Sequence, residues 1–375
     1  MLFQKLMGKG PASMVSPSAP KTLWSWGSQY KGQLGLGDTV SRSSPVQVGT
    51  VATWSTLATG SNSSRFGIKS DGSLWAWGYG VDGRLGLGDT VSRSSPVQIG
   101  ALTTWSSVAS GGPHALGIKI DGTLWAWGTN TTYGSLGDGT LINRSSPVQI
   151  GTLGTWSSVT VGNSGNSALK SDGTLWSWGK NYFGPLGLGT AGSGLTCSSP
   201  TQVGTLATWR NVSAGTHNRL AIRTDGTLWA WGRNNNNGQL GLGDIIHRSS
   251  PVQVGTLATW SIASSGGDHS LAVKTDGTLW AWGGGATGPL GLGDTIARSS
   301  PVQIGTLTTW SAVCTGTYSS LAIKTNGTLW GWGNGSSGEQ GQSDTVSRSS
   351  PVQVGTLATW TSMAIGTNAV QAIRA

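Results

Sequence analysis

Apolar and polar residues alternate in short bursts along most of the chain, and glycine-rich polar stretches separate the bursts. A two-residue period puts successive side chains on opposite faces of a strand, so the bursts read as β-strands and the stretches as turns. The unit from Trp260 to Gly305 carries the whole pattern. Trp260 to Ser264 begins a short strand A, and the residues at 265–268 turn the chain. His269 to Lys274 reads as strand B, with Leu271 and Val273 on one face and Ala272 and Lys274 on the other. Asp276-Gly277 supplies the positive-φ chemistry of a hairpin turn. Thr278 to Gly283 is strand C, with Leu279 and Ala281 opposite Trp280 and Trp282. A long loop then leads to Pro301-Val302-Gln303-Ile304, an outer strand D whose proline suits an edge.

The unit recurs. Leu-Trp-x-Trp-Gly places tryptophan pairs at Trp24/Trp26, Trp75/Trp77, Trp125/Trp127, Trp176/Trp178, Trp229/Trp231, Trp280/Trp282 and Trp330/Trp332, at intervals of 51, 50, 51, 53, 51 and 50 residues. A lone tryptophan follows each pair, at Trp54, Trp105, Trp156, Trp209, Trp260, Trp310 and Trp360. A blade of four antiparallel strands leaves both faces apolar, and neighbouring blades must cover them. The fold expected is therefore all-β, a seven-bladed β-propeller of four-stranded antiparallel blades whose cores the tryptophans fill. The chain begins on a strand C (Thr22 to Gly27) and ends on strands A and B (Thr361 to Arg374). Pairing of the N- and C-terminal strands, with Met363 to Ile373 against the first strand, would close the ring and remove its free faces. Residues 1–21 are read as an arm and linker, and residues 22–375 as the propeller.

Composition agrees with a turn-rich β chain: 62 glycines and only 10% charged residues. The net charge of +9 is dispersed, apart from Lys5, Lys9 and Lys21 in the arm and Lys180, Arg210, Arg219, Arg223 and Arg233 against Asp225 alone. Nucleic-acid binding asks for a denser stripe and is not expected. Cys197, read in a long loop, and Cys314, read on a strand, have no disulfide or metal spacing. There is no apolar run of membrane-spanning length and no secretory h-region, so no membrane insertion or classical export is expected.

Two loop classes vary between copies while the other turns hardly change. In an up-and-down blade the A–B and C–D connections emerge on one face of the disc, so the variable loops share it. That face is the candidate partner-binding surface, for a protein or glycan. Its residues are Tyr30, Lys31, Arg65, Tyr79, Asp82, His114, Tyr133, Tyr182, Phe183, His217, Arg219, Arg233, Asn235, Asp268, His269 and Tyr318. The arm, through Leu2, Phe3, Leu6, Lys5 and Lys9, is the candidate tether to a larger assembly. Glu339 is the only glutamate, and most aspartates sit in turns. Although His114, His217 and His269 share one blade position, no metal site, cofactor or enzymatic activity is expected.

The run Gly-x-x-His-Ser-Leu-Ala, then Asp-Gly-x-Leu-Trp-x-Trp-Gly-x-Asn, then Gly-Gln-Leu-Gly-Leu-Gly, clearest over His269 to Gly283, Arg233 to Gly243 and His217 to Gly243, resembles the regulator-of-chromosome-condensation repeat family. The resemblance covers residues 22–375 and implies a seven-bladed propeller with strand sharing between the termini. The founding members exchange nucleotide on the Ran GTPase and bind chromatin. Other relatives are ubiquitin-ligase modules, channel-associated domains or secreted β-lactamase inhibitors. The even spacing here leaves no room for the wedge loop that exchange activity relies on, and function does not follow from fold. The uniformity of the copies suggests bacterial or viral kin. The function expected is a non-catalytic interaction or display propeller tethered by its arm, as in a bacteriophage virion structural or host-adhesion component. It would lie on the virion surface, or otherwise in the cytoplasm. Glycan binding and GTPase or chromatin regulation are the alternatives.

Overall fold

Each repeat becomes a blade where its alternation meets its turn signals. The computed structural model describes residues 20–375 apart from 61, 62, 164 and 236, and the arm residues named above lie outside that range. Seven four-stranded antiparallel sheets are ordered A-B-C-D. Blade 1 comprises Trp54–Thr59, Ser64–Lys69, Leu74–Gly78 and Arg93–Gln98. Blades 2 to 6 follow in chain order, with strands A starting at Trp105, Trp156, Trp209, Trp260 and Trp310. Blade 7 joins Trp360–Ile365 and Ala369–Arg374 to Thr22–Gly27 and Arg42–Gln47. Its seam runs from Thr22 opposite Arg374 to Gly27 opposite Ala369. Only strand B of the terminal segment makes it, because strand A (Trp360–Ile365) pairs with strand B instead.

Two boundaries differ from expectation. Strand D of blade 5 starts at Arg298, not at Pro301. A bulge lets Gly283 face Arg298 while Ala281 faces Val302, so the Arg-Ser-Ser segment stays extended. Gly283 is required there: its φ is +102 at the equivalent Gly27 and +100 here, and a Cβ would lie 2.5 Å from the Asp268 carbonyl oxygen. Cys197 likewise lies within strand D of blade 3 (Thr196–Gln202), not in a loop.

The three tryptophans of a blade divide the work. The lone one packs edge-on against both members of its pair, at 6.3 and 5.8 Å in blade 1 and 6.1 Å twice in blade 7. The second member of the pair is fully buried, and in five blades its indole N–H reaches back to a carbonyl of the preceding blade. Trp282 Nε1 donates to the Gln239 carbonyl at 3.0 Å, and Trp26 Nε1 to that of Glu339 at 2.9 Å. The first member donates to the hydroxyl two residues earlier, which in blades 1 to 5 donates to the turn aspartate, as in Trp280 to Thr278 (2.9 Å) and Thr278 to Asp276 (2.7 Å), and in blade 6 to Asn326. Core and turn are thus one hydrogen-bonded unit.

Five blades pair Leu or Phe on strand B with Ala or Gly on strand C: Phe66/Ala76, Leu116/Ala126, Leu220/Ala230, Leu271/Ala281 and Leu321/Gly331. Blades 3 and 7 break this pattern with Ser167/Ser177 and Gln371/Ser25. The blade after each of these two carries a buried arginine on strand B, Arg219 or Arg65. Arg219 donates from Nε to Ser167 Oγ (3.3 Å) and from its two Nη atoms to the carbonyls of Asn218, Gly215 and Gly165. Burial lowers its pKa to about 9, and that of Arg65 to about 10. Unique polar contacts at two junctions distinguish otherwise interchangeable repeats. Arg219→Leu is expected to destabilise the fold by about 2–4 kcal/mol, because Ser167 and three carbonyls lose a buried donor. Restoring the common apolar pattern with Ser167→Leu and Ser177→Ala should recover at least half of that in urea denaturation. A triple variant no more stable than the single one would refute the coupling.

Candidate functional site

The variable loops converge because each C–D loop is stitched to the A–B loop of its own blade. Backbone N–H groups of Tyr79, Thr129, Arg233, Gly284 and Asn334 donate to the carbonyls of Ser63, Pro113, His217, Asp268 and Tyr318. The invariant connections meet on the opposite face, where Ser70 and Ile120 donate to Thr53 and Thr104.

Most cations of this charge-poor chain are consumed by the fold. The base closing strand B stacks on the first tryptophan of the pair: Lys69, Lys119, Lys170, Arg223, Lys274 and Lys324 lie 3.5–3.8 Å from the ring centroids, and Arg374 lies 5.4 Å from Trp24. The arginine of strand D pairs with the aspartate of its own C–D loop, from Arg42–Asp38 at 2.6 Å to Arg348–Asp344 at 2.6 Å. Hydrogen bonding to Arg348 holds Asp344 at a pKa of about 2. Blade 3 has Cys197 and Thr190 in these two places, so both partners are replaced together. Arg210 donates to the Trp260 and Ser261 carbonyls. What sequence grouped as a basic stretch therefore contributes only Lys180 and Arg233 to the variable surface, with Arg219 buried beneath.

The candidate residues sort into three sets. Arg65, His114, Arg219 and His269 are buried and offer no contact surface, which corrects their placement there. They start strand B just below the rim, where adjacent blades still pack. His114 Nε2 meets Asn166 Oδ1 of the next blade at 2.8 Å, and His269 Nε2 meets Ser320 Oγ at 2.9 Å. Burial depresses both imidazoles to a pKa of about 4. A second set gathers at blades 7 and 1. Tyr30, 60% exposed, has its hydroxyl 2.9 Å from Ser63 Oγ. Tyr79 lies beneath Lys31 (5.3 Å) and Arg84 (4.8 Å), and Asp82 pairs with Arg84 at 3.1 Å. Asn235 caps its own loop by accepting from the Asn237 N–H, and Tyr318 stands apart, half exposed.

The third set is contiguous. Lys180 Nζ donates to the Tyr133 hydroxyl at 3.1 Å and lies 4.5 Å from its ring. Tyr182 packs on Phe183 (4.4 Å), Phe183 meets His217 (5.4 Å), and Arg233 lies 5.2 Å from the Phe183 ring. Arg233 reaches Asp268 only at 3.8 Å. Burial, then Arg233, Arg219 and Lys180, lower the His217 pKa to about 4. A cavity of about 270 Å³ opens beside Tyr133, Lys180 and His217. Sequence reasoning missed His247, which packs on Phe183 at 5.1 Å and accepts the Asn234 N–H at Nδ1. Its signal was readable: other repeats have Ser41, Ser92, Asn143 or Ser347 before the strand D arginine, each accepting a loop N–H.

The central channel, lined by strands A of all seven blades, offers mainly small side chains such as Thr59, Ser110 and Ala214. Burial pushes the Cys314 thiol there up to about 11. Among the described residues no group of three or more His, Cys, Asp or Glu could hold a metal ion.

An RCC1-like domain family model matches residues 10–315, and a regulator of chromosome condensation (RCC1) repeat model matches residues 326–373. The chain is 31% identical over 280 residues to the ultraviolet-B receptor UVR8 of Arabidopsis thaliana, spanning 72% of this chain and 62% of the receptor. It is 28% identical over 284 residues to the human E3 ubiquitin-protein ligase HERC2, where the match spans 6% of the ligase. It is 31% identical over 320 residues to the Arabidopsis thaliana mitochondrial RCC1 domain-containing protein RUG3, covering 75% of this chain and 71% of that one. Prp20p of Saccharomyces cerevisiae superposes with a TM-score of 0.84 at 19% identity, over 95% of this chain and 91% of Prp20p. At that identity the likeness concerns the fold alone.

Proposed function

This chain belongs to the RCC1-like propeller family, and we propose that it is a non-catalytic interaction propeller, held by its N-terminal arm and presenting the variable-loop face to a protein partner. The observation that carries this reading is the opposition of the two faces. The chain enters at Lys21, whose N–H donates to Ala52 and whose carbonyl accepts from Trp54, beside an invariant connection. The arm therefore leaves from one face, while the cations and aromatics that the fold does not consume collect on the other. A tether on the first face displays the second. Loops on a rigid scaffold are common recognition surfaces.

Prp20p, which shares this fold, binds Gsp1p and histones, and yeast RCC1 (Prp20) is found bound to Kap60. The finer setting, a virion structural or host-adhesion component of bacterial or viral kinship, rests on the uniform repeats and the Pro/Ser/Ala-rich arm. A photo-reactive residue in place of Tyr182 is expected to cross-link the partner, and one in place of the exposed Leu257, on the invariant connections, is not. Equal labelling from both positions would overturn the reading. Deleting residues 1–20 should release the propeller from its assembly and keep the Tyr182 cross-link; retained incorporation would refute the tether.

A further inference from the structure

We propose that the cleft beside Tyr133, Lys180 and His217 receives an acidic side chain of the partner protein, while Tyr182 and Phe183 cover an apolar residue next to it. This deepens the reading of the variable face as the binding face and rests on it. The cleft lies where the loops of blades 2, 3 and 4 meet, and its cavity also takes in Thr129, Thr132 and Asn163. Lys180 is held in place by the Tyr133 hydroxyl and ring, so little side-chain entropy is lost when it binds an anion. Among the described residues Lys180 has no carboxylate partner, and the single one of Arg233, Asp268, stands at 3.8 Å.

Behind the cleft Arg219 is wholly buried, bonded to carbonyl and hydroxyl oxygens but to no carboxylate. Positive charge focused by a low-dielectric wall attracts an anion to the opening in front of it. The hydroxyls of Thr132 and Tyr133 are further donors for the second carboxylate oxygen, while that of Thr129 donates to Asp82 at 3.3 Å.

Other anions fit less well. Phosphate sites favour a bidentate arginine fork or a nest of backbone N–H groups, but the Arg233 guanidinium lies over Phe183 and that of Arg219 is committed to carbonyls. A nucleic-acid strand needs a run of cations; those of the neighbouring repeats are paired or stacked. Exposed Tyr182 on Phe183, flanked by His247 and Arg233, is an aromatic–arginine anchor of the kind that dominates protein interfaces.

Titration calorimetry on the full chain tests this with a short peptide of repeated Gly-Glu-Phe-Glu, its Gly-Gln-Phe-Gln counterpart, and inorganic phosphate. The glutamate peptide is expected to bind at least about tenfold more tightly than the glutamine one, a difference of ~1.4 kcal/mol, and to weaken with added salt. Lys180→Met and Tyr133→Phe should each weaken it severalfold while leaving the melting curve unchanged. Equal binding of the two peptides, tighter binding of phosphate, or an unaltered Lys180→Met variant would overturn the proposal. If the Tyr182 cross-link persists alongside such a failure, the cleft assignment falls and the reading of the face stands.

Discussion

Removing residues 361–375 is expected to abolish cooperative unfolding. The deletion takes most of strand A and all of strand B from blade 7, so Thr22–Gly27 keeps only Arg42–Gln47 as a partner. Trp26, Val370 and Ala372 share one core with Leu321, Ile323 and Leu329 of blade 6. Uncovering Trp26 alone exposes ~150–250 Å², about 4–6 kcal/mol of burial before entropy. The loss spreads to both sides of the gap, because Leu23 and Ile373 pack with Trp54 and Trp77 of blade 1. Domains of this kind have ~5–15 kcal/mol in total. The truncated chain should show a broad, early thermal transition and bind a hydrophobic dye. A sharp transition near the intact melting temperature would mean that the ring does not depend on its seam.

Acid is expected to be the second large stress, chiefly through His114 and His269, with a smaller share from the half-buried His217. The two buried imidazoles have folded pKa values of about 4, below the ordinary 6.5, because burial disfavours their charged form. Between those values the unfolded chain binds more protons than the folded one, so stability is full near neutral pH and falls as pH drops from 6.5 towards 4. Each histidine costs ~1.4 kcal/mol per pH unit in that window, and the pair ~6–7 kcal/mol in all. The repeats name the replacements: Asn218 and Ser319 hold the same position in blades 4 and 6, while His217, expected there, lies one residue earlier, in the loop. His114→Asn with His269→Ser should therefore flatten most of the pH dependence of urea unfolding over this range. An unchanged acid profile in the double variant would show that other groups carry it.

The blades, their order and the seam were legible because the alternation and the tryptophan spacing recur with little variation. The parity of four strands per repeat also told which loops share a face, since each reversal of the chain simply exchanges ends. The individual site residues were less legible. Arg65, Arg219, His114 and His269 look like loop residues, being polar and next to glycines. They are interior because the first residues of strand B lie below the rim, between blades. His247 was overlooked although its position normally holds a small loop-capping acceptor.

What the sequence determined by itself is local and periodic: where strands alternate, where glycine permits a turn, and that an unpaired strand at each end must find the other. Tertiary structure alone decided which charges are spent. Lys170 holds the recurring base position that closes strand B and lies 3.8 Å from the Trp176 ring centroid, whereas Lys180, outside the repeat pattern, lies beside an open cleft. Stacking and ion pairing join residues four to six apart in one blade, whereas the burial of Arg219, His114 and His269 and the hold of Tyr133 on Lys180 depend on neighbours about 50 residues away, on adjacent blades, and a local pattern carries no record of those.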